Sequence, residues 1–160
     1  MIKIRAFNSC VPSSDVDDLW LLKFNTIRKI NSKDYTQTQI NAWAPDEYDH
    51  QNWLNRLSEM DPLIAEIDDL IVGFADLQAD GYIDHFFCHL DYQGKGVGKA
   101  LMQALIDKGT LMGLKRYYSN VSITAKPFFK HFGFIIVKQQ SVAVRGTVLT
   151  NFLMEKSVSK

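Results

Sequence analysis

A glycine-rich loop is the part of this sequence best suited to hold a phosphate group. Residues 93–98 read Gln-Gly-Lys-Gly-Val-Gly, after an apolar segment at residues 82–89 and before an amphipathic run at residues 99–112. Because three of the six positions lack a side chain, the backbone can approach a ligand closely and direct several N–H groups to one point. The start of a helix adds unpaired N–H donors and a positive dipole end. The spacing predicts a pyrophosphate-binding loop.

Two common phosphate-binding motifs do not fit this loop. A P-loop requires Ser or Thr after Gly-Lys to hold a metal, and here Gly94 and Lys95 are followed by Gly96. A dinucleotide-binding fingerprint places its third glycine later, in a parallel fold, with an acidic residue about 20 positions further on. Residues 114–121, the strand that follows the helix, contain no carboxylate. Neither motif therefore explains the loop.

The elements around the loop have the order of an α+β domain. In residues 1–7 apolar and charged residues alternate, which predicts a strand, and Ser13 or Ser14 is expected to cap a helix over residues 15–30. Irregular spacing in residues 31–60 predicts two short helices around a loop. The remaining expected elements are a three-strand meander at 63–67, 70–77 and 82–89, a helix at 99–112, a strand at 114–121, a short helix at 126–132, and strands at 134–139 and 148–156.

Composition limits the classes of protein that fit. The 160 residues are 46% hydrophobic and 12% aromatic, enough for one compact domain over residues 1–160. Lys plus Arg and Asp plus Glu both number 18, so no net charge favours nucleic acid or an anionic membrane as a partner. Cys10 and Cys88 have no metal-type spacing, so we expect no metal and a reducing compartment. No run approaches the roughly 18 apolar residues that span a bilayer, so we expect a cytoplasmic protein.

Two motifs, separated by one helix and one strand, carry a family resemblance. Gln93, Gly96 and Gly98 fill the defined places of the pattern Gln/Arg-x-x-Gly-x-Gly/Ala, and residues 125–134 read as a short helix that ends in Gly-Phe before a strand. In both respects the chain resembles the GNAT superfamily of acyl-CoA-dependent N-acetyltransferases. The resemblance implies an α+β fold (the α/β GNAT fold) with a central mixed, mostly antiparallel sheet of six to seven strands. Helices would flank that sheet, which would splay at the strands on either side of an acetyl-CoA site.

The resemblance also implies acetyl-CoA as co-substrate and places its contacts by position. Backbone N–H groups of residues 94–99 would bind the pyrophosphate, and Lys95 and Lys99 would either add charge there or be ordinary surface lysines. A backbone N–H at Phe86 or Phe87 would polarise the thioester carbonyl. The residues expected to bind acetyl-CoA are Phe86, Phe87, Cys88, Gln93, Gly94, Lys95, Gly96, Val97, Gly98, Lys99, Ser122 and Phe129.

Direct acetyl transfer needs a neutral amine, a donor to the developing oxyanion and a proton for the departing thiolate. Asp84 is the first candidate for the base, directly or through water, because strand alternation places it on the face of Phe86 and Cys88. It could instead orient the substrate or serve the structure. His85 is expected to point to the other face. Cys88 is expected to be a small core residue, because the family transfers the acyl group without a covalent enzyme intermediate.

The proton donor to the thiolate departs from the family pattern. Many relatives use a tyrosine at the position where this chain has Phe129. Water can replace it, because a free thiol has a pKa of about 8.5 and its thiolate is a tolerable leaving group. Tyr117, or Tyr118, on the preceding strand could also donate. Ser122 stands where many relatives have an asparagine that contacts CoA, so a shorter hydroxyl must make that contact or leave it to water.

The resemblance also implies that the acceptor pocket is built largely by residues 31–60, together with the final pair of strands. Tyr35, Trp43 and Trp53 are the candidate substrate-binding residues, as an apolar wall or as a site for a cationic amine, with core packing as the alternative. The acidic residues of this segment favour an amine-bearing acceptor; they are Asp46, Glu47, Asp49 and Glu59.

The sequence thus predicts an N-acetyltransferase that moves an acetyl group from acetyl-CoA to a primary amine of a small molecule or peptide. Nucleic acid and membrane are not expected partners, and both monomer and homodimer are open. A non-catalytic acyl-CoA-binding or partner-binding module with the same fold is the alternative, because Phe129 replaces the usual acid. A nucleotide-binding regulator is a third reading.

Overall fold

The computed structural model describes residues 1–8 and 15–158, so the cap predicted at Ser13 or Ser14 lies outside the described residues. The helices are α1 (Asp15–Lys29), α2 (Gln37–Trp43), α3 (His50–Met60), α4 (Val97–Leu111) and α5 (Lys126–His131). The strands are β1 (Lys3–Ala6), β2 (Leu63–Ile67), β3 (Leu70–Ala75), β4 (Tyr82–Ile83), β5 (Phe86–Cys88), β6 (Arg116–Ser122), β7 (Ile135–Val144) and β8 (Thr147–Ser157). No helix within the described ranges is long and apolar enough to cross a membrane.

The strands form two four-stranded sheets that are joined through one broken strand. The first has the order β1-β2-β3-β5 and is antiparallel throughout. The second has the order β4-β6-β8-β7, and only its β4–β6 pair is parallel. The predicted α+β class with a mixed, mostly antiparallel and splayed sheet is confirmed. The single strand predicted at residues 82–89 is corrected, because β4 and β5 are its two halves and each half joins a different sheet.

A buried carboxylate causes this break. Asp76 is fully buried at the end of β3, and its Oδ1 accepts hydrogen bonds of 2.8 Å from the backbone N–H groups of both Asp84 and His85. On the other side, the Ser119 hydroxyl donates to the Ile83 carbonyl at 2.7 Å and holds β4 on β6. Because two successive N–H groups turn to one side chain, the strand cannot continue its ladder. The sheet therefore splays between β5 and the end of β6.

Helix α4 covers one face of the first sheet and fixes where the glycine loop lies. It packs on β2 and β3 over a core that includes Leu101 and Leu105, both fully buried. Gly73 permits the close approach, since a Cβ there would lie 2.9 Å from Leu101 and Val97 side-chain atoms. On the opposite face, α1 and α3 pack through a second core that contains Leu19. The first sheet therefore lies between α4 on one face and α1 and α3 on the other, with β5 at its edge.

Candidate active site

A cavity of about 710 Å³ lies where β5 and β6 diverge. The contacts between α1 and the chain around β5 show which way the cavity runs along this strand. Lys23 contacts His85 just before β5, and one turn later the Thr26 hydroxyl donates to the Cys88 carbonyl at the end of β5. The Gln93 side chain also donates to that carbonyl, at 3.0 Å. The cavity therefore has one end at the glycine loop and another at residues 84–85.

The structure brings eleven of the twelve expected acetyl-CoA residues to this cavity. Lys95 is the exception, because it is exposed and does not line it. Gln93 lines the cavity, yet its side-chain amide donates to the carbonyls of Cys88 and His89, so it joins the loop to the strand end. The lining residues from the expected set are Phe86, Phe87, Cys88, Gln93, Gly94, Gly96, Val97, Gly98, Lys99, Ser122 and Phe129.

The glycine loop leaves the N-terminus of α4 open to a ligand. Gly96 precedes the helix with φ of 86°, a left-handed conformation that glycine adopts without strain, and no side chain caps the helix. The first-turn N–H groups of this 15-residue helix are therefore available to an anion. Gly98 lies against Phe128, so the loop also needs its third glycine for space.

The outer edge of β5 offers backbone donors beside the loop. The His85 carbonyl accepts from the Asp76 N–H just after β3, and the His89 N–H donates to the Val72 carbonyl. Because every second residue of an antiparallel strand bonds to the same neighbour, Phe87, opposite Phe74, also directs its backbone groups toward β3. Phe86 and Cys88 consequently direct their N–H groups to the edge of β5 that no strand of the described residues covers. Of the two residues expected to donate a backbone N–H, Phe86 therefore remains the candidate. The Phe87 N–H is turned toward β3, whereas the Phe86 N–H lies at the open edge.

Aromatic rings and one hydroxyl form the wall across from this edge. Phe129 is 2% exposed and contacts the rings of Phe86 and Phe134, while its neighbour Phe128 contacts Phe86. The Ser122 oxygen accepts hydrogen bonds from Asn31 at 3.4 Å and from the Ala125 N–H at 3.1 Å. Its hydroxyl hydrogen can therefore donate into the cavity.

Cys88 has the environment of a packing residue. Its sulfur lies 3.6 Å from the position that a Cβ on Gly98 would take. Burial raises the pKa of the Cys88 thiol to about 12, so the thiol is protonated at neutral pH. A protonated thiol is a poor nucleophile, in agreement with direct transfer.

Asp84 lies at the other end of the cavity, among basic groups. Its Oδ2 is 3.1 Å from Arg56 Nη2 and 3.1 Å from His85 Nδ1. The contact with His85, assisted by the charges of Arg56 and Lys23, lowers the pKa of Asp84 to about 2 despite partial desolvation. A carboxylate stabilised in this way is a weak proton acceptor, so the geometry favours an orienting role over that of a base.

His85 does not point away from Asp84 as strand alternation predicts. Both residues line the same cavity, because the strand is broken where they stand. The His85 imidazole is 4% exposed and stacks on Phe74, with ring centroids 6.0 Å apart. Desolvation and the nearby Lys23 charge lower the pKa of His85 to about 4, so the ring is neutral at neutral pH.

Two basic residues that were not predicted from the sequence, Lys23 and Arg56, line the end of the cavity at residues 84–85. Lys23 Nζ lies 3.1 Å from His85 Nε2 and over the rings of Trp53 and Phe87, at 5.2 and 5.9 Å. A signal for Lys23 exists in the sequence, since it stands in the middle of the apolar stripe of α1. Arg56 gives no such signal, because an exposed arginine beside the apolar stripe of a helix is ordinary.

The expected substrate-binding aromatics divide into two groups. Tyr35 and Trp43 line the cavity, and the Tyr35 hydroxyl is held by the Thr150 carbonyl at 2.7 Å and the Ile123 N–H at 2.9 Å. Trp53 does not line it: its indole N–H donates to the Val16 carbonyl, and its ring is buried in the core of α1 and α3. The acidic residues expected to favour an amine are also absent from the described lining; they are Asp46, Glu47, Asp49 and Glu59.

The structure also corrects the proposed tyrosine acids. Tyr117 is fully buried against α4, and its hydroxyl donates to the Ile106 carbonyl at 3.2 Å. Tyr118 bonds Asp80 on the surface. Neither side chain lines the cavity.

Comparisons with known proteins agree with this arrangement. A family model described as an acetyltransferase (GNAT) domain matches residues 31–156. The uncharacterized N-acetyltransferase YafP of Escherichia coli (strain K12) is 35% identical over 140 residues, 88% of each chain. The structure of the GCN5-related N-acetyltransferase from Rhodopseudomonas palustris superposes with a TM-score of 0.90 at 29% identity, over 98% of this chain and 95% of that one. The yncA protein of Salmonella typhimurium, solved with its cofactor acetyl-CoA, superposes with a TM-score of 0.72 at 16% identity, over 99% and 95% of the chains.

Proposed function

The chain belongs to the GNAT family of acetyl-CoA-dependent N-acetyltransferases, and on that premise we propose that it transfers the acetyl group directly to a primary amine of a small molecule or peptide. The observation that carries the proposal is the cavity itself. It continues from the open N-terminus of α4, along the unpaired edge of β5, to the charged groups at residues 84–85. Co-substrate and acceptor can therefore meet on one strand edge.

The residues of this chain divide the work of binding and orientation. The backbone of residues 94–99 would hold the pyrophosphate, and Ser122 and Phe128 would contact the pantetheine arm. The Phe86 N–H, at the open edge of β5, would donate to the developing oxyanion. Acetyl-CoA, when bound, supplies a thioester that an amine can attack.

Asp84 orients the acceptor amine in this proposal. Its low pKa makes it an ion at every physiological pH, so it can accept hydrogen bonds from an amine without removing its proton. After the amine nitrogen attacks the thioester, that nitrogen loses its proton to water at the open, partly exposed end of the cavity.

Asp84→Asn should lower kcat/KM about 10- to 100-fold through KM, because a charged hydrogen bond of that strength is lost. The acid limb of the pH-rate profile should not move. Steady-state kinetics between pH 5 and 9 measure both, with Asp46→Asn as a control at an exposed carboxylate. Loss of an acid limb in the variant would instead identify Asp84 as the base.

Phe129→Tyr should change kcat by less than about threefold, because protonation of a thiolate with a pKa near 8.5 by water is not limiting. Stopped-time assays of thiol release on the wild type and the variant measure this. A tenfold gain in kcat would contradict the proposal and show that the missing tyrosine limits the reaction.

Thiol release from acetyl-CoA, followed with a panel of primary amines, tests the proposed function. Amine-dependent release together with calorimetric binding of acetyl-CoA would support it. Binding without release by any amine would favour the non-catalytic module. Binding of ATP in place of acetyl-CoA would favour the nucleotide-binding regulator.

A further inference from the structure

The acceptor end of the cavity carries more positive than negative charge. Among the described lining residues Asp84 is the only carboxylate, whereas Lys23 and Arg56 both reach this end. Arg56 is paired with Asp84 at 3.1 Å, so those two charges offset each other. Lys23 is the remaining cation. The end of the cavity that would receive the acceptor is therefore suited to an anion.

Lys23 has a neutral partner instead of a counterion. Its Nζ contacts His85 Nε2, and His85 carries no charge at neutral pH. No carboxylate of the described residues lies within 4 Å of this ammonium. An ammonium has three N–H donors, and the contact with His85 Nε2 is the hydrogen-bond contact of Lys23 Nζ within the described residues, so this group has donor capacity left for a ligand.

Keeping this ammonium among aromatic rings is costly without a counterion. The rings of Trp53 and Phe87 give only partial compensation through cation–π contact. Desolvation and the charge of Arg56 lower the pKa of Lys23 to about 8, although the more distant charge of Asp84 acts in the opposite direction. A bound anion would remove this cost.

We propose that the acceptor amine also carries a carboxylate and that Lys23 binds it, so that the acceptor is of the amino acid class. The inference rests on the proposed acetyl transfer and specifies its substrate. A carboxylate fits better than a phosphate dianion, because Arg56 is already engaged by Asp84 and, of the described lining residues at this end, Lys23 is the cation without a carboxylate within 4 Å. Phe87 extends from Lys23 to the apolar wall of Tyr35, Trp43 and Leu149, which favours an apolar side chain on the acceptor.

Matched acceptors with and without the carboxylate test this inference. The pairs are L-phenylalanine with 2-phenylethylamine and L-leucine with 3-methylbutylamine. Lys23→Met should lower kcat/KM for each amino acid about 10- to 100-fold more than for its matched simple amine, the size expected for a charged hydrogen bond that only the carboxylate makes. Because each acceptor is compared with itself across variants, differences in amine basicity cancel.

Two further variants separate charge from structure. Lys29→Met removes an exposed lysine from the same helix, outside the cavity, and should change neither class of acceptor. Lys23→Arg keeps the charge and should recover part of the preference for amino acids over the simple amines.

In the wild type, the preference for amino acids should decline as pH rises through about 8, because Lys23 then loses its proton. The charged or titratable groups around Lys23 are Asp84, Arg56, His85 and Arg145.

Binding of the products gives a readout that does not require turnover. N-acetyl-L-phenylalanine should bind the CoA-loaded wild type more tightly than N-acetyl-2-phenylethylamine, and Lys23→Met should abolish the difference. Equal acetylation of both members of each pair, or an equal effect of Lys23→Met on both, would overturn the inference and leave acetyl transfer intact. Absence of thiol release with every amine, while acetyl-CoA binds, would overturn the proposed function as well.

Discussion

Gly98→Val should raise the dissociation constant of acetyl-CoA by about 100-fold or more. A Cβ at this position would lie 2.7 and 3.0 Å from Cε1 and Cζ of the Phe128 ring, and 3.6 Å from the Cys88 sulfur. Phe128 has little room to retreat, since Phe86 and Phe132 pack against its ring. The ring must therefore move into the cavity, or the first turn of α4 must move away from it. Either displacement disturbs both the pantetheine path and the N–H donors.

Gly94→Ala is the matched control in the same loop. Gly94 has φ of 73°, yet nothing lies within 4 Å of the position its Cβ would take. The substitution should cost only the backbone strain of about 1 kcal/mol, or about fivefold in affinity. Calorimetric titration with acetyl-CoA measures both variants, and thermal unfolding verifies that each is folded. Equal losses in both variants would show that loop conformation, and not the space beside Phe128, controls binding.

Asp76→Ala should lower the free energy of unfolding by about 2 to 5 kcal/mol and kcat/KM by about 100-fold. The carboxylate accepts from two buried backbone N–H groups, and each unpaired buried group costs about 1–3 kcal/mol. These N–H groups belong to Asp84 and His85, so the loss also displaces the charged end of the cavity. Stability and activity should therefore fall together.

Asp76→Asn separates the hydrogen bonds from the charge. Its amide oxygen can still accept both N–H groups, so we expect kcat/KM within about tenfold of the wild type.

Burial raises the pKa of Asp76, which makes the free energy of unfolding depend on pH. The contribution of Asp76 to stability is complete below the ordinary pKa range of aspartate and declines as pH rises through the raised pKa. Asp76→Asn should lack this decline. Chemical denaturation at several pH values measures it, and a wild-type-like Asp76→Ala would contradict the assigned cause of the broken strand.

The sequence was sufficient to predict the order of the elements and the glycine loop. Both depend on patterns within short stretches of chain: apolar periodicity for the helices and strands, and glycine spacing in residues 93–98. Glycine permits the positive φ of Gly94 and Gly96 whatever surrounds the loop, and eleven of the twelve expected residues line one cavity.

The charged end of the site was decided by tertiary contacts. Strand alternation placed Asp84 and His85 on opposite faces, and Asp76 overrode it by turning both N–H groups to one carboxylate. Trp53 and Tyr117 have side chains typical of a site, yet packing on neighbouring helices buries them in the core.

Lys23 shows the physical reason most clearly. In the sequence it is one lysine in an apolar stripe, and only the fold places it beside His85, 62 positions away. Local spacing determines which backbone conformations are available and so determined the glycine loop. The charge at the other end of the cavity depends on which side chains from distant parts of the sequence are buried together. Only the packing of α1, α3 and the broken strand brings those side chains into contact.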